Sequence, residues 1–454
     1  MEKIEYLKVN LPEDIIKLKY FGDFDGVLRL IDKRLQSDIP TALKNRLKIE
    51  KDIIAVLRRQ YPYTFQEALS IMKENIKGFT KEELIKLKDE SEADWIFVNG
   101  KVYFQERFFQ TLIATRKDIS DRLLINSKNK AEKDLAIKKE KLLNDTIREI
   151  KEKGEKTYNV HLKVGIKLKE HAIEEGKMVK VHLPIPAEAK QIRNIKIINT
   201  EPKARYISEA TYPQRTVYFE EIASEVNEFF VEYSYENHVE YIDLNPEVVS
   251  SIQPDFETNE LEPHIMFTPY IKELCKEIVQ DEANPLLKAR KIYDFITTKV
   301  NYTFMREYFT VENISEYAAL NLKGDCGVQA LLFITLCRCA KIPAKWQSGL
   351  YVNPLFVGCH DWAQFYIEPY GWLFADCSFG GGALRRGFEE RWNYYFGNID
   401  PYRMVANFEF QHDFIPNKKF LRIDPYDNQR GEVEYEDRGL TSNDFEIITI
   451  NLNI

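Results

Sequence analysis

The hydrophobic period of the chain changes at Gly154, and this change divides it into regions of different structure. Before Gly154, residues 128–153 place Leu and Ile at helical spacing among charged residues, which is typical of a helix with one buried face. After Gly154, apolar residues alternate with mostly polar ones from Tyr158 to Leu168. Alternation with a period of two predicts a half-buried strand. We therefore expect a helical region before this point and β-structure after it.

The N-terminal region, 1–153, is predicted to be mainly helical. Leu and Ile recur at three- and four-residue spacings over 43–57 and 66–88. Between these helices and the last one, residues 94–103 surround an Asn99-Gly100 pair and predict a small hairpin. Acidic residues interleave with the lysines of 128–153, which favours a surface helix over a basic arm. We identify no candidate for chemistry in this region.

A β-sandwich is predicted over 154–253. Several short strand candidates follow one another with turn signals between them, which is typical of antiparallel sandwiches. The candidates after the first strand are 178–185, 192–198, 216–219 and 229–235. Four histidines lie in this region without a repeated ligand spacing, so we predict no metal site among them: His161, His171, His182 and His238.

Composition restricts the classes of function. The chain of 454 residues has 64 basic and 72 acidic residues, a net charge of −8, which argues against a generally basic nucleic-acid-binding protein. The sequence contains no run of 18 apolar residues, which a membrane span would require, and its first residues do not resemble a secretory signal. We therefore expect a cytoplasmic protein. Six cysteines are too few for a disulfide scaffold in a chain this long.

Five of the six cysteines lie in one segment, and Cys326 has the most reactive predicted position. A helix starting at Asn284-Pro285 leads into the segment, and Lys323-Gly324-Asp325 is predicted to be a turn. Cys326 then opens an apolar helix that runs to Ala340. Free N–H groups and the helix dipole at such a position favour the thiolate, the nucleophilic form of cysteine. Cys337 and Cys339, deeper in the helix, are predicted to be packing residues.

His360 and Asp376 are predicted to lie on neighbouring strands. Three strand candidates follow the helix, at 346–352, 360–367 and 372–376. The separation of 16 residues, with a turn centred on Glu368-Pro369, would place the two side chains opposite each other on one face. A carboxylate beside an imidazole fixes its tautomer, so the pair could serve Cys326 as base and orienting group. These three residue types also co-occur by chance, and spacing alone leaves both interpretations open.

The residues of this segment admit other interpretations. A zinc site would need the four residues Cys326, Cys359, His360 and Cys377, yet no Cys-x-x-Cys pair occurs. Redox pairing among these cysteines is disfavoured in a reducing cytoplasm. Gly380-Gly381-Gly382 lacks the Lys-Ser/Thr of a phosphate-binding loop. The arginines that follow could either hold an acidic substrate group or be solvated: Arg385, Arg386 and Arg391.

The segment resembles the transglutaminase-like superfamily of papain-related cysteine enzymes. The resemblance covers about 285–380. Upstream, it rests on the entry helix around 289–295 and on Val300-Asn301-Tyr302. The other matching residues are Gly324-Asp325-Cys326-Gly327, Ile342-Pro343-Ala344, Ser348-Gly349, His360-Asp361-Trp362 and Trp372 through Asp376. Two positions depart from the pattern, because Asp361 stands where a small residue is common and Cys377 where Pro or a hydroxyl residue is frequent.

The resemblance implies a mechanism and roles for three residues. Cys326 would be the nucleophile, His360 the general base and acid, and Asp376 the residue that orients His360. The family forms a thioester from an amide, which water or an amine then resolves. The Cys326 backbone N–H would stabilise the oxyanion, with a second donor, or a pocket residue, among Asn321, Tyr302 and Trp362. This chemistry requires no cofactor or metal, and no calcium-loop spacing occurs.

The sequence thus predicts a multidomain α+β protein with three parts. These are a mainly helical N-terminal region (1–153), an antiparallel β-sandwich (154–253) and a transglutaminase-like, papain-like α+β domain (254–454). Residues 443–454 are expected to form a strand buried on both faces, in either the catalytic sheet or the sandwich. We expect a thiol enzyme acting on a peptide or protein amide, with hydrolysis favoured over transfer to an amine, and no nucleic-acid or membrane partner. The alternative is a non-catalytic protein- or glycan-binding scaffold on the same fold.

Overall fold

The N-terminal region is helical, as its periodicity predicts. The computed structural model describes residues 4–124 and 127–452, and the side chains of all of these except 127–133. The helices are α1 (Glu13–Phe21), α2 (Phe24–Leu35), α3 (Thr41–Gln60), α4 (Phe65–Asn75), α5 (Lys81–Asp89), α6 (Phe108–Thr115), α7 (Lys117–Ser120) and α8 (Ser127–Lys153). Three strands form a small sheet in the order β1-β3-β2: β1 (Tyr63–Thr64), β2 (Trp95–Val98) and β3 (Lys101–Phe104).

The periodic stretch 66–88 forms two helices, not one. Thr64 caps α4 and Thr80 caps α5, and each forms a capping box with the glutamate three residues later. Between them the chain turns at Gly78, whose φ of +69° is a conformation that glycine adopts without strain. The predicted hairpin at 94–103 is confirmed as β2 and β3.

A sandwich of two four-stranded sheets follows α8. Its strands from the central part of the chain are β4 (Glu155–Leu168), β5 (Met178–Pro184), β6 (Ile192–Glu201), β7 (Tyr206–Ile207), β8 (Thr216–Ile222) and β9 (Glu228–Glu240). Alternate side chains of β9 are buried, as the period of two requires. Val164, Ile166, Val181, Phe219 and Phe229 belong to the same buried apolar cluster.

The third part combines helices with a five-stranded antiparallel sheet. Its elements are α9 (Pro269–Val279), α10 (Pro285–Lys299), β10 (Asn301–Tyr302), α11 (Ile314–Asn321), β11 (Lys323–Gly324), α12 (Cys326–Cys339), β12 (Ala344–Asn353), β13 (Phe356–Ile367), β14 (Gly371–Ala375), α13 (Cys377–Arg385), α14 (Glu389–Tyr394), β15 (Phe396–Gly397) and β16 (Arg403–Asn407). The sheet has the order β15-β14-β13-β12-β16, and α12 packs against it. The predicted turn at Lys323-Gly324 is instead a short strand that pairs in parallel with β10.

The last two strands of the chain belong to the sandwich. Of the two positions that the sequence left open for the closing strand, the catalytic sheet and the sandwich, the structure shows the sandwich. They are β17 (Glu432–Tyr435), which pairs with β5, and β18 (Phe445–Asn451), which pairs with β4. The sandwich sheets therefore have the orders β17-β5-β8-β7 and β18-β4-β9-β6.

The prediction that this closing strand is buried on both faces is wrong. Ile447 and Ile450 of β18 are 45% and 44% exposed. These two residues are three positions apart and therefore point to opposite faces, so neither face of the strand, which lies at the edge of its sheet, is fully covered. Asn453 and Ile454, which the prediction included, lie outside the described residues. Among the described helices, none has the length and apolarity needed to cross a membrane.

Candidate active site

Cys326 is the first residue of α12, and the start of this helix is firmly fixed. The Asp325 carboxylate caps the helix by accepting the Val328 N–H at 3.2 Å. The Tyr308 hydroxyl donates to the same carboxylate at 2.5 Å. The body of α12 is buried in the core, so the thiol is presented from a rigid element. The predicted position of Cys326 at a helix start is confirmed.

Gly327 is required by the close packing around the thiol. A Cβ atom at this position would lie 2.2 Å from the Tyr308 hydroxyl oxygen and 2.9 Å from Oδ2 of Asp361. Real Cβ atoms do not approach other atoms this closely, so any larger residue would push the side chains next to the sulfur apart.

His360 and Asp376 form a buried hydrogen-bonded pair. His360 Nε2 lies 2.7 Å from Oδ2 of Asp376, and the two residues are 4% and 1% exposed. Ala363 pairs with Ala375, so the turn between the two strands is centred on Pro369. This register places Asp376 across from Trp362. The two side chains are thus diagonal neighbours, not directly opposite as predicted. They still share a face because the shift along the strand is two residues.

Asp376 is held as a carboxylate by its surroundings. Burial alone would raise its pKa, but the charges of His360 and Arg403 and the hydrogen bonds that it accepts keep the pKa well below its usual range. Arg403 Nη2 donates to Oδ2 at 2.7 Å, and the Phe379 N–H donates to Oδ1 at 3.0 Å. Burial lowers the pKa of His360, although the charge of Asp376 opposes this effect, and the lowered pKa favours the neutral imidazole.

Arg403 is a site residue that sequence reasoning missed. It is fully buried, donates to Asp400 as well as Asp376, and lies 4.3 Å from the ring centroid of Phe379 and 4.7 Å from that of Tyr351. Its partner Asp376 is 27 residues away in the chain, and no motif marks the position. Only the sheet, which brings β16 beside β12, places the guanidinium here.

The Cys326 thiol is hydrogen-bonded to Asp361. Sγ donates to Oδ2 of Asp361 at 3.2 Å. Burial, followed by the charges of Asp361 and Asp325, raises the pKa of the thiol well above its usual value. Burial and the two neighbouring carboxyl groups thus oppose the effect of the helix terminus, which favours the thiolate. In the part of the chain that the structure describes, no hydrogen bond joins Cys326 to His360.

Asp361 belongs to a group of buried carboxyls that includes two residues of the C-terminal segment. Burial and neighbouring carboxylates raise the pKa of Asp361 to about 7 and that of Asp427 to about 8, and they raise that of Asp424 as well. Gln429 Nε2 donates to Oδ1 of Asp361 at 2.6 Å and to the His360 carbonyl at 3.1 Å. Sequence reasoning missed these residues. The available signal was the acidic and aromatic run at 424–427.

Cys326 and His360 line one cleft of about 790 Å³. Phe379 packs on the His360 ring, with centroids 4.5 Å apart, and also lines the cleft. Other parts of the wall come from α6, α7 and α8 of the N-terminal region, including Ile113 and Leu143. That region therefore shapes the candidate site, a role that its sequence did not indicate.

The structure brings one of the three oxyanion or pocket candidates to Cys326. Tyr302 lines the cleft, and its pKa is raised by burial and by the nearby Cys326. Asn321 instead donates to the Tyr317 carbonyl of its own helix at 2.8 Å. Trp362 is fully buried and donates its indole N–H to Gln347 at 2.8 Å. The last two candidates have their donors occupied away from the thiol.

The structure does not gather the cysteines into a ligand set. Throughout the described chain, the one group of three ligating side chains with atoms within 4.8 Å of one another is Glu155, His238 and Glu240, in the sandwich. His238 is bound there to Thr157 through Nδ1 at 2.9 Å. The zinc interpretation of the segment around Cys326 is therefore not supported. All six cysteines are free thiols.

Comparison with known proteins places this domain in a family. The model of the transglutaminase-like superfamily matches residues 272–377, which include Cys326, His360 and Asp376. No curated protein sequence matches the chain.

Two solved structures resemble the chain at low identity. The crystal structure of a "Putative Cysteine Protease from Cytophaga hutchinsonii" is 14% identical, with a TM-score of 0.39, and the match covers 66% of this chain and 93% of that one. The periplasmic domain of TgpA from Pseudomonas aeruginosa is 13% identical, with a TM-score of 0.29, and the match covers 52% and 92%. From the family match and the α+β fold, we conclude that this chain carries a domain of the transglutaminase-like superfamily.

Proposed function

We propose that this protein is a cysteine-dependent enzyme that attacks a carboxamide or peptide bond, with Cys326 as nucleophile. The observation that supports this proposal best is the buried pair of His360 and Asp376, fixed by Arg403, which lies at the same cleft as Cys326. A structural core has no need of an ionised carboxylate, a buried imidazole and a thiol at one cleft, because burying charge is costly.

The proposed reaction starts with proton transfer from the Cys326 thiol to His360. Nε2 of His360 is bound to Asp376, so Nδ1 is the nitrogen left to accept the proton. The sulfur then attacks the amide carbonyl carbon, and the oxyanion is stabilised by the Cys326 backbone N–H and the Tyr302 hydroxyl. His360 returns the proton to the leaving nitrogen as the C–N bond breaks, which leaves a thioester. Water adds to the thioester with His360 as base, releasing a carboxylic acid and restoring the thiol.

The contact with Asp361 adds a step before this reaction. The thiol donates to Asp361, so it must turn away from that carboxylate before His360 can take its proton. Substrate that enters the cleft next to Tyr302 would rotate the thiol, because it would displace the sulfur from its hydrogen bond with Asp361. We therefore propose Asp361 as a positioning residue that keeps the Cys326 thiol protonated and unreactive in the free enzyme.

Hydrolysis is proposed over transfer to an amine because water reaches the cleft unaided. The second candidate function is a non-catalytic binding scaffold, and one observation favours it: the thiol of Cys326 is hydrogen-bonded to Asp361. Burial and the carboxyls of Asp361 and Asp325 raise the thiol pKa, the reverse of what a reactive cysteine needs. Binding without turnover would be the result expected of such a scaffold.

The test exposes the full-length protein to a library of peptides that carry internal Gln and Asn residues, with mass spectrometry of the products. We expect products with a hydrolysed side-chain amide or backbone bond, and a loss of roughly a thousandfold or more in rate with Cys326→Ala or His360→Ala. Cys275→Ala, which removes a buried thiol outside the cleft, is the matched control and should keep the rate. Peptide binding without any product, equal in all four proteins, would establish the scaffold instead.

A further inference from the structure

The cleft has a charge opposite to that of the whole chain. Among the described residues, five basic side chains and one acidic side chain, Glu140, line it, whereas the chain has 72 acidic and 64 basic residues. The basic residues are Lys117, Lys139, Arg385, Arg386 and Arg391. Excess charge of one sign in a cleft with apolar walls raises the local concentration of ligands of the other sign.

The single carboxylate is shared between two of the arginines. Oε1 of Glu140 lies 3.0 Å from Nε of Arg386, and its other oxygen binds Arg391. Arg391 is 3% exposed in its side chain and also donates to Asn144 at 3.1 Å, so it has a structural role. Glu140 therefore neutralises only part of the charge that faces the cleft.

Arg385 has no carboxylate partner in the described part of the chain. Its one hydrogen bond goes to the Thr297 carbonyl, at 3.4 Å. Partial burial lowers the pKa of Arg385, and repulsion from the adjacent charge of Arg386 lowers it further. Arg385 and Arg386 together have only part of one carboxylate, that of Glu140, as a partner. An anion that both guanidinium groups can bind through paired N–H donors would therefore stabilise this pair of charges.

Helix α8 also supplies a cation to the cleft. Lys139 lies over the ring of Phe356, 3.7 Å from its centroid, and has no ion pair among the described residues. Partial burial lowers its pKa with no acidic residue opposing the effect. Lys139 therefore adds to the positive charge that an anion in the cleft would meet.

We propose that the arginine end of the cleft binds a carboxylate of the substrate, so that the enzyme acts on acidic peptides. This inference rests on the proposed function for the reacting amide, and it adds the class of substrate. Arg385 and Arg386 are the carboxylate-binding residues, and Lys139 adds charge. The carboxylate comes from an acidic side chain or from the C-terminal α-carboxylate of the peptide.

Both guanidinium groups lie along helix α13, which starts directly after Asp376. Nη1 of Arg385 and Nη1 of Arg386 each lie 3.3 Å from the position that a Cβ of Gly381 or Gly382, respectively, would take, so both groups fold back toward the start of the helix. An extended peptide covers about 3.3 Å per residue, so a carboxylate a few residues from the reacting amide is the arrangement to test.

The binding test uses full-length protein with Cys326→Ala, which cannot turn substrate over. Four fluorescent peptides share one sequence with a central Gln, carry Glu or Gln four residues away, and end in a free or an amidated carboxyl group. Fluorescence anisotropy measures their affinities at low and high salt. We expect the acidic peptides to bind about tenfold more tightly than the neutral amidated one, with the preference reduced by salt. The two acidic arms identify which carboxylate is bound.

Two further variants assign the preference to the arginines. Arg385→Gln with Arg386→Gln should abolish it, whereas Arg193→Gln, at a sandwich arginine as exposed (50%) as Arg386 (51%), should keep it. Glu140→Gln, which removes the competing carboxylate and no arginine, should tighten binding of acidic peptides several-fold. This last variant keeps the test valid if the double variant fails to fold.

The outcomes separate this inference from the proposed function. Equal binding of acidic and neutral peptides, or a preference unchanged in the double variant, overturns the carboxylate subsite. If the intact protein hydrolyses neutral and acidic peptides alike, the subsite is wrong and the enzyme stands. If acidic peptides bind selectively but no protein with Cys326 releases product, the subsite stands and the proposed reaction is wrong.

Discussion

The Cys326 thiol donates its hydrogen bond to the Asp361 carboxylate, at 3.2 Å, and not to the ring of the neighbouring His360. Asp361 follows the proposed base directly in the chain, at a position where its carboxylate reaches the sulfur. This contact stabilises the protonated thiol, and it makes the chemistry of Cys326 depend on the charge of one residue that performs no step itself.

Replacing Asp361 by Asn is expected to make Cys326 more reactive. Removal of one adjacent negative charge lowers the thiol pKa by about one unit or more, so alkylation by iodoacetamide near pH 8 should accelerate about tenfold. Mass spectrometry of the peptide that contains Cys326 measures the rate, and Cys337, fully buried in α12, serves as the internal control. An unchanged or slower alkylation rate would show that Asp361 does not restrain the thiol.

The contribution of Asp361 to the stability of the protein is expected to fall as the pH rises from about 4 to about 8. Asp361 has a pKa of about 7, whereas the usual value for aspartate in an unfolded chain is about 3.9. The folded protein binds the proton more tightly in this range, so its free energy of unfolding decreases with increasing pH.

The variant Asp361→Asn isolates this effect. Urea unfolding measures the free energy of unfolding near pH 5 and near pH 8. Its decrease between these two pH values should be about 2–4 kcal/mol smaller in the variant than in the wild type. Parallel pH dependences in the two proteins would mean that Asp361 titrates at its ordinary value.

Replacing Arg403 by Met is expected to destabilise the fold by about 3–5 kcal/mol. The change leaves the carboxylates of Asp376 and Asp400 buried without their cation. Thermal unfolding measures the loss. Adding Asp376→Asn to the variant removes one of the two uncompensated charges and should restore part of the stability. The loss of stability caused by Asp376→Asn is compared in the wild type and in the Arg403→Met variant. If the two losses are equal, Arg403 and Asp376 are not coupled.

Gly327→Ala is expected to lower activity by roughly a hundredfold through misplacement of the thiol. The new Cβ would lie 2.2 Å from the Tyr308 hydroxyl oxygen. Adding Tyr308→Phe removes that atom and should recover part of the rate, which peptide hydrolysis assays measure. Full activity of Gly327→Ala alone would mean that the space around Cys326 tolerates a side chain.

The sequence predicted the parts of this structure that depend on local pattern. Period-two alternation located β4, a helix cap located α10, and an apolar run after a predicted turn located α12, because these signals arise from neighbours in the chain. The types and order of Cys326, His360 and Asp376 indicated one site. The register that makes His360 and Asp376 diagonal partners depends on which residue begins the turn, and a cis Glu368-Pro369 bond lies there.

The residues that the sequence did not reveal are brought together by distant segments. Arg403 reaches Asp376 from β16, and Gln429 reaches Asp361 across 68 positions. Glu140 meets Arg391 across 251 positions. No local spacing encodes such contacts, so charged residues of this kind look like ordinary surface residues until the sheet and helices are assembled.

The return of β17 and β18 to the sandwich has a consequence for biogenesis. Neither four-stranded sheet is complete until residues 432–451 have left the ribosome, although β4 is synthesised some 280 residues earlier. The cysteine domain is thus an insertion within the covalent span of the sandwich, and it emerges whole while the sandwich still lacks two strands. Proteolytic removal of β18 alone would expose the flank of β4 to pairing with other chains, a direct route to aggregation.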